Sequence, residues 1–241
     1  MLLSVIIAII CISVSLLTLW SISAKGEQTK ITIAIDAGHG GIDGGVVGAS
    51  GVKESDLNLA LAKLLQGYFK EDGFRVIMTR NSSDSVYKLK QHFKRNDMAE
   101  RVRIVNKSKA MLLVSLHINK YSASFRRGIQ VFYGKEDSID LAKQIQKDIN
   151  EKMNIPTLNR GFSALYGDYY LIKNTICPAI IVECGFISSP EDEKLLLDEE
   201  YRMLLAFNLF SSLKAYLSKN EEKTKSTVGN QAFLQPSHYF A

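Results

Sequence analysis

Two histidines and two glutamates in this sequence have the residue types needed for metal-assisted hydrolysis. His39 lies in the glycine-packed segment 36–45, directly after an apolar run, and Glu54 follows shortly after that segment. His117 and Glu183 each end an apolar run further along the chain. Two neutral imidazoles and one carboxylate are typical ligands of a catalytic zinc ion that keeps an open position for water. A second carboxylate could take a proton from that water and give it to a leaving amine, as hydrolysis of an amide requires.

Spacing alone does not say which glutamate binds the metal and which is the base. Glu183 ends an apolar strand, where an unpaired charge is costly, so it must meet a cation, a metal or a water network. Glu54 requires such a partner only if other parts of the protein cover the start of its helix. Cys184 follows Glu183, but alternation along a strand turns it to the opposite face, so we do not expect a cysteine nucleophile. His92 and His238 lie on a charged helix and in the tail, and we do not expect them to be ligands.

The elements predicted around these residues place all four at one edge of a sheet. Apolar runs predict strands at residues 31–36, 74–79, 111–117, 128–133 and 178–183, and a short one at 169–172. Periodic apolar positions predict helices at residues 54–69, 87–107, 137–153 and 190–217. The order strand, helix, strand favours a parallel sheet with a right-handed crossover. Loops after parallel strands share one edge, where ligands bind, so the sequence predicts an α/β fold with its site there.

Composition divides the chain into three parts. Residues 1–24 carry no charged side chain and, at about 1.5 Å per helical residue, are long enough to cross a bilayer core. We expect this segment to be a signal peptide or a membrane anchor, and small residues at 21–24 leave cleavage open. Residues 30–217 carry the predicted catalytic domain, and the polar residues 218–241 predict a mobile C-terminal tail. Lys25 by itself favours a cytoplasmic body, but the site chemistry favours export.

The overall charge does not indicate a nucleic-acid partner. The formal net charge is +5 and the isoelectric point is about 9.0, which is mild, and the sequence contains no nucleic-acid-binding motif. The cations of residues 87–107 are interpreted as a solvated helical face in preference to an anion site. Gly38 and Gly40 match the start of a dinucleotide fingerprint, but Asp43 stands at the third glycine position, so a nucleotide site is not expected.

Five segments resemble, in order, the motifs of a known family. They are residues 36–45, 53–59, 100–106, 114–119 and 178–188. The family is that of the zinc-dependent N-acetylmuramoyl-L-alanine amidases of the third amidase class, which cut peptidoglycan between the lactyl group of the glycan and the stem peptide. The resemblance covers about residues 30–217 and implies a single α/β domain with a mixed, mostly parallel six-stranded sheet flanked by helices on both faces.

The resemblance also implies the roles that spacing left open. Carried over by residue, it implies that His39, Glu54 and His117 bind one zinc ion and that Glu183 is the catalytic carboxylate, the general base for zinc-activated water. Asp36 and Asp43 are then expected either to support the metal ligands or to hold the loop. Three departures from the family pattern concern substrate preference more than chemistry: Val105, Ile118 and Lys173 stand where alanine, alanine and arginine are common.

The compact body behind one apolar segment most resembles the spore-cortex amidases, which act in making muramic lactam. This implies a location outside the cytoplasm, secreted or anchored to the outer face of a bacterial membrane. The substrate expected is peptidoglycan, with placement by an accessory protein or by the N-terminal segment if it is uncleaved. Two alternative hypotheses are a catalytically silent, membrane-tethered wall-binding protein and a zinc peptidase acting on stem peptides.

Overall fold

A six-stranded mixed sheet forms the centre of the structure. The computed structural model describes residues 31–89, 91–122 and 126–232, with side chains described up to residue 220. The strands are β1 (Thr32–Ala37), β2 (Arg75–Met78), β3 (Leu112–Asn119), β4 (Gln130–Tyr133), β5 (Leu165–Tyr166) and β6 (Ala179–Phe186), in the order β2-β1-β3-β6-β4-β5. Strands β2, β1, β3 and β6 run parallel, and β4 runs antiparallel to β6 and parallel to β5. The predicted mixed, mostly parallel six-stranded sheet is confirmed.

Helices flank the sheet, as predicted. They are α1 (Glu54–Glu71), α2 (Phe93–Ser108), α3 (Ile139–Ile149), α4 (Ile155–Leu158), α5 (Tyr170–Asn174), α6 (Pro190–Leu197) and α7 (Glu199–Ala232). A 3-10 turn at Glu136–Ser138 precedes α3, and a π-helical turn at Asn150–Asn154 follows it. Helices α1 and α3 pack against α7, and α2 packs against α5. The described residues from Thr32 onward form one compact unit.

The sheet face under α2 and α5 changes from apolar to polar toward the carboxyl ends of its parallel strands. Ala34 of β1, Leu113 of β3 and Ile181 of β6 belong to one buried apolar cluster. Two residues further along, Asp36 and Ser115 are buried register partners on the same face. Alternation along strands brings every second residue to one face. The next such positions on β3 and β6 are the site residues described below.

One predicted strand is wrong. Residues 169–172 were expected to form a short strand, but Tyr170–Asn174 is helical, and the sixth strand is Leu165–Tyr166. Short apolar runs do not separate helix from strand by periodicity. Leu171 and Ile172 are both buried, which one turn of helix on the apolar cluster achieves.

The C-terminal helix also differs from the prediction. The helix expected over residues 190–217 is two helices, because Asp198 takes an extended conformation with a ψ of 124°. Its Oδ1 accepts a hydrogen bond of 2.8 Å from the backbone N–H of Glu200, which caps the start of α7. Helix α7 continues to Ala232, past the predicted end near residue 217. Mobility of the tail stays a prediction, and residues 233–241 lie outside the described residues.

Helix α2 begins later than predicted. Residues 87–89, 91 and 92 are not helical, and His92 takes a left-handed conformation with a φ of 51° just before Phe93. Tyr87 is held instead by its backbone N–H, which donates to Asp97 Oδ1 at 2.9 Å.

Within the described ranges, no helix has both the length and the hydropathy needed to cross a membrane. The apolar segment 1–24 lies outside the described residues. Its role as a signal peptide or membrane anchor therefore stays a prediction.

Candidate metal centre

His39 lies in the loop after β1, where the backbone takes an unusual path. His39 itself has a φ of 61°, and Gly40 and Gly41 follow with φ values of 130° and 59°. Such left-handed conformations favour glycine. At Gly38 the chain passes against the imidazole of His117, with which any Cβ at that position would collide. Gly38 therefore brings the loop backbone close to the imidazole of His117.

Glu54 is the first residue of α1 and is buried. Its Oε1 accepts a hydrogen bond of 3.1 Å from the N–H of Ile118, and its Oε2 accepts one of 3.1 Å from the N–H of Val46. Oε1 also lies 3.0 Å from His117 Nδ1 and 3.2 Å from His39 Nε2. Burial opposes the charge of the carboxylate, yet the two imidazoles hold the pKa of Glu54 well below its usual range. The carboxylate is thus fixed by backbone donors and faces both histidines.

His39, Glu54 and His117 form one cluster of metal-ligating groups. A nitrogen or oxygen atom from each lies within 4.8 Å of the others. The second nitrogen of His39, Nδ1, lies 3.0 Å from Asp43 Oδ2, an arrangement that orients many metal-binding histidines. Burial lowers the pKa of His39, but Glu54 and Asp43 outweigh it and the pKa is raised. Two imidazoles and one carboxylate fit a zinc ion.

Glu183 stands beside this cluster on β6. Its Cα is the register partner of His117 on β3, so the two side chains emerge on the same face. Its side chain is buried, and Oε2 has no hydrogen-bond partner within the described part of the chain. Burial raises the pKa of Glu183 to about 7, and the charge of Glu54 adds to the rise. A carboxyl group with a pKa near neutrality can both accept and donate a proton at physiological pH.

The remaining candidates do not join the cluster. Cys184 is buried, and burial together with the charge of Glu183 holds the pKa of its thiol well above the usual range, which does not suit a nucleophile. His92 is exposed at the start of α2. His238 lies outside the described residues.

Sequence reasoning missed two buried arginines under the His39 loop. Arg101 Nη2 donates to the carbonyl oxygen of His39 at 2.6 Å, and Nη1 donates to that of Ala37 at 2.9 Å. Arg80 Nη2 donates to the carbonyl oxygens of Gly38 at 2.9 Å and of Ser55 at 2.8 Å. These bonds tie the loop that carries His39 to the start of α1, which carries Glu54.

Arg101 also pairs with two buried carboxylates. Its Nη1 lies 2.7 Å from Asp36 Oδ1, and its Nε lies 2.7 Å from Asp97 Oδ2. Burial alone would raise the pKa of Asp36, but Arg101 and the hydroxyls of Ser115 and Thr79 lower it to about 2. The interpretation of the basic helix as a solvated face is therefore wrong for Asp97 and Arg101. Their spacing of four with the core residue Val105 was the available signal.

We expect Arg101→Met to lower the free energy of unfolding by about 3–5 kcal/mol, because it leaves Asp36 and Asp97 buried without their cation. Denaturant unfolding at pH 7 measures this. The pKa of Asp36 is about 2 in the fold and 3.8 ordinarily, so its stabilisation is complete above pH 3.8 and is lost as pH falls toward 2.

Arg103→Met is the matched control, since Arg103 is exposed on the same helix and pairs only with Glu100 among the described residues. Little change is expected there. Equal losses in the two variants would contradict a structural role for the buried arginine.

Comparison with known proteins gives concordant matches. Residues 33–215 match a family model described as N-acetylmuramoyl-L-alanine amidase. A germination-specific N-acetylmuramoyl-L-alanine amidase of Bacillus subtilis is 32% identical over 206 residues, which are 83% of this chain and 84% of that protein. The probable cell wall amidase LytH of Staphylococcus aureus is 30% identical over 190 residues, 78% of this chain and 58% of that protein.

Solved structures agree with the sequence matches. The CwlD amidase from Clostridioides difficile, solved in complex with the GerS lipoprotein, superposes with a TM-score of 0.72 at 35% identity, covering 78% of this chain and 99% of that one. An N-acetylmuramoyl-L-alanine amidase from Clostridium difficile 630 superposes with a TM-score of 0.70 at 27% identity, covering 79% of this chain and 98% of that one.

Proposed function

The chain belongs to the N-acetylmuramoyl-L-alanine amidase family, and we propose that it performs this hydrolysis with one zinc ion held by His39, Glu54 and His117. The family cleaves the amide between the lactyl group of N-acetylmuramic acid and L-alanine of the stem peptide. The observation that carries the proposal is the convergence of three ligating side chains within 4.8 Å. They lie beside Glu183, the buried carboxyl group in register with His117.

Each residue then has a defined task. Zinc, when bound, lowers the pKa of water toward about 7 and stabilises negative charge on the carbonyl oxygen. Glu183 Oε2 takes the proton of the attacking water, and the protonated carboxyl group returns it to the departing amine of L-alanine. Asp43 holds His39 through Nδ1, and backbone N–H groups hold Glu54. Arg101 and Arg80 together fix the backbone of the loop that carries His39 through hydrogen bonds to its carbonyl oxygens.

We also propose a role in spore cortex, in the step that leads to muramic lactam. The similarity to a germination-specific amidase and to the CwlD amidase supports this assignment. Such a substrate lies outside the cytoplasm, so the body of the protein is placed outside the cell membrane, with residues 1–24 as its export signal or its anchor. The complex of the CwlD relative with a lipoprotein supports an accessory protein partner for this chain.

Product analysis by mass spectrometry tests the function. Purified cortex and vegetative peptidoglycan treated with the zinc-loaded chain are expected to release stem peptides with a new N-terminal L-alanine, leaving the glycan intact. A chelator is expected to abolish release, and added zinc to restore it. Peptides cut beyond L-alanine would instead support a stem-peptide peptidase. No release in the presence of zinc would support a silent wall-binding protein.

A further inference from the structure

A groove with a volume of about 670 Å³ is lined in part by residues from the ends of three strands. Its lining includes Asn119 at the end of β3, Gln130 at the start of β4 and Phe186 at the end of β6. Gln130 is the register partner of Glu183, as Glu183 is of His117. Register partners on neighbouring strands point to the same face of a sheet. The groove therefore begins one strand away from Glu183, on the same face.

The lining of this groove is basic. Among the described residues, it contains Arg126, Arg127 and Arg160 and no acidic residue. Arg127 is already neutralised, because its Nε lies 3.0 Å from Asp192 Oδ1. Arg126 and Arg160 are exposed, and neither forms an ion pair with any residue in the described ranges. Two guanidinium groups thus remain available to an anion.

Aromatic rings hold both of these guanidinium groups. The guanidinium carbon of Arg126 lies 4.1 Å from the ring centre of Tyr121, and that of Arg160 lies 4.8 Å from the ring centre of Phe162. Stacking on a ring face orients the planar group and leaves its N–H edge free. An oriented guanidinium edge binds a carboxylate through two parallel hydrogen bonds. This geometry favours carboxylates over neutral sugars.

The substrate presents carboxylates on one side of the scissile bond only. The glycan strand of peptidoglycan is neutral once its lactyl groups are amidated, whereas the stem peptide carries carboxylates on the residues after L-alanine. An extended peptide advances about 3.3–3.6 Å per residue, so the second or third residue of the stem reaches a groove one or two strands away. The basic groove therefore matches the stem peptide.

We propose that Arg126 and Arg160 form a clamp for the free carboxylates of the stem peptide, an inference that rests on the proposed function. The clamp makes the enzyme sensitive to amidation of these carboxylates. Arg126 and Arg160 are specificity-determining residues in this account, since they contact the substrate away from the reacting atoms.

Co-sedimentation with sacculi tests the clamp without depending on cleavage. The zinc-loaded full chain carrying Glu183→Gln is mixed with sacculi stripped of teichoic polymers, either native or with their carboxylates converted to amides by carbodiimide and ammonia. We expect amidation to weaken binding about 10-fold or more, as loss of charge-assisted hydrogen bonds does. Adding Arg126→Gln and Arg160→Gln to this chain is expected to weaken binding to native sacculi by the same factor as amidation does. Amidation is then expected to have no further effect on binding.

Lys63→Gln with Lys70→Gln is the matched control, because it also removes two positive charges, here from exposed positions on α1. Discrimination against amidated sacculi is expected to persist in this control. Equal binding of the Glu183→Gln chain to native and amidated sacculi would overturn the clamp. Equal loss of binding to native sacculi in the lysine pair and in the arginine pair would overturn it as well. If the wild-type chain cleaves native sacculi but shows no discrimination, the clamp fails and the proposed function stands. Discrimination without cleavage would instead remove the proposed function.

Discussion

Glu183→Gln is expected to lower kcat for amide cleavage of purified peptidoglycan by about 10²–10⁴-fold, the usual contribution of a positioned general acid–base group. Glutamine keeps the shape of the side chain but neither accepts nor returns the proton. Zinc content, measured by elemental analysis, is expected to stay at the wild-type level, because Glu183 is not among the three clustered side chains that could hold a metal ion. Initial rates of amine release over a range of substrate concentrations measure the change.

Unfolding does not account for the expected loss. The pKa of Glu183 is raised by burial to about 7 from an ordinary 4.5. The contribution of Glu183 to the stability of the metal-free wild type is therefore fully present below pH 4.5, and about 3 kcal/mol is lost as pH rises through 7, where the buried group becomes charged. Glutamine lacks this charge, so metal-free Glu183→Gln is expected to be at least as stable as the wild type at pH 8.

Glu200→Gln, at an exposed position on α7, is the control and should retain activity. Activity of Glu183→Gln within a few-fold of wild type would contradict the assignment.

His117→Ala is expected to affect the metal first and the rate as a consequence. Removing an outer hydrogen-bond partner of a ligand typically weakens metal binding by about 10–100-fold, so removing a ligand itself should weaken zinc affinity by more. Zinc titration against a competing chelator measures the affinity, and amide cleavage at low free zinc should fall with it. Excess zinc should restore at most part of the rate, because one ligand is missing.

His92→Ala is the matched control for this variant. His92 is exposed before α2 and lies outside the cluster, so its removal should leave zinc affinity unchanged. Full zinc occupancy of His117→Ala at wild-type affinity would remove His117 from the ligand set.

The sequence predicted the edge of the sheet at which the candidate residues meet, because parallel strands place their carboxyl ends together whatever their order. His39 after β1 and His117 on β3 follow from that rule. The register between His117 and Glu183 does not, since strand register depends on long-range pairing that one sequence leaves undefined. Whether Glu183 Oε2 finds a hydrogen-bond partner likewise depends on which side chains the fold brings near it, and among the described residues it has none.

The buried arginines show a second limit. Helix α2 has a low content of apolar residues, and its charges indicate solvent exposure when each is considered alone. Only the sheet beneath it, where Asp36 is buried and acidic, explains why Arg101 is buried there. Two further differences arise because the local pattern does not define an element. They are the wrongly predicted strand at residues 169–172 and the continuation of α7 beyond its predicted end. A run of a few apolar residues fits either element, and a helix of polar residues can continue without a core to cover.

A zinc-edge anomalous difference map from a crystal of the zinc-loaded protein tests whether His39, Glu54 and His117 hold the metal. Data collected above and below the absorption edge locate the metal independently of any assumed ligand. One strong peak is expected, bonded to His39, Glu54 and His117 at about 2.0–2.2 Å from each, with Glu183 beside it but not bonded to it. A peak bonded to Glu183 in place of Glu54, or a peak elsewhere in an enzyme that still cleaves the amide, would contradict this ligand set.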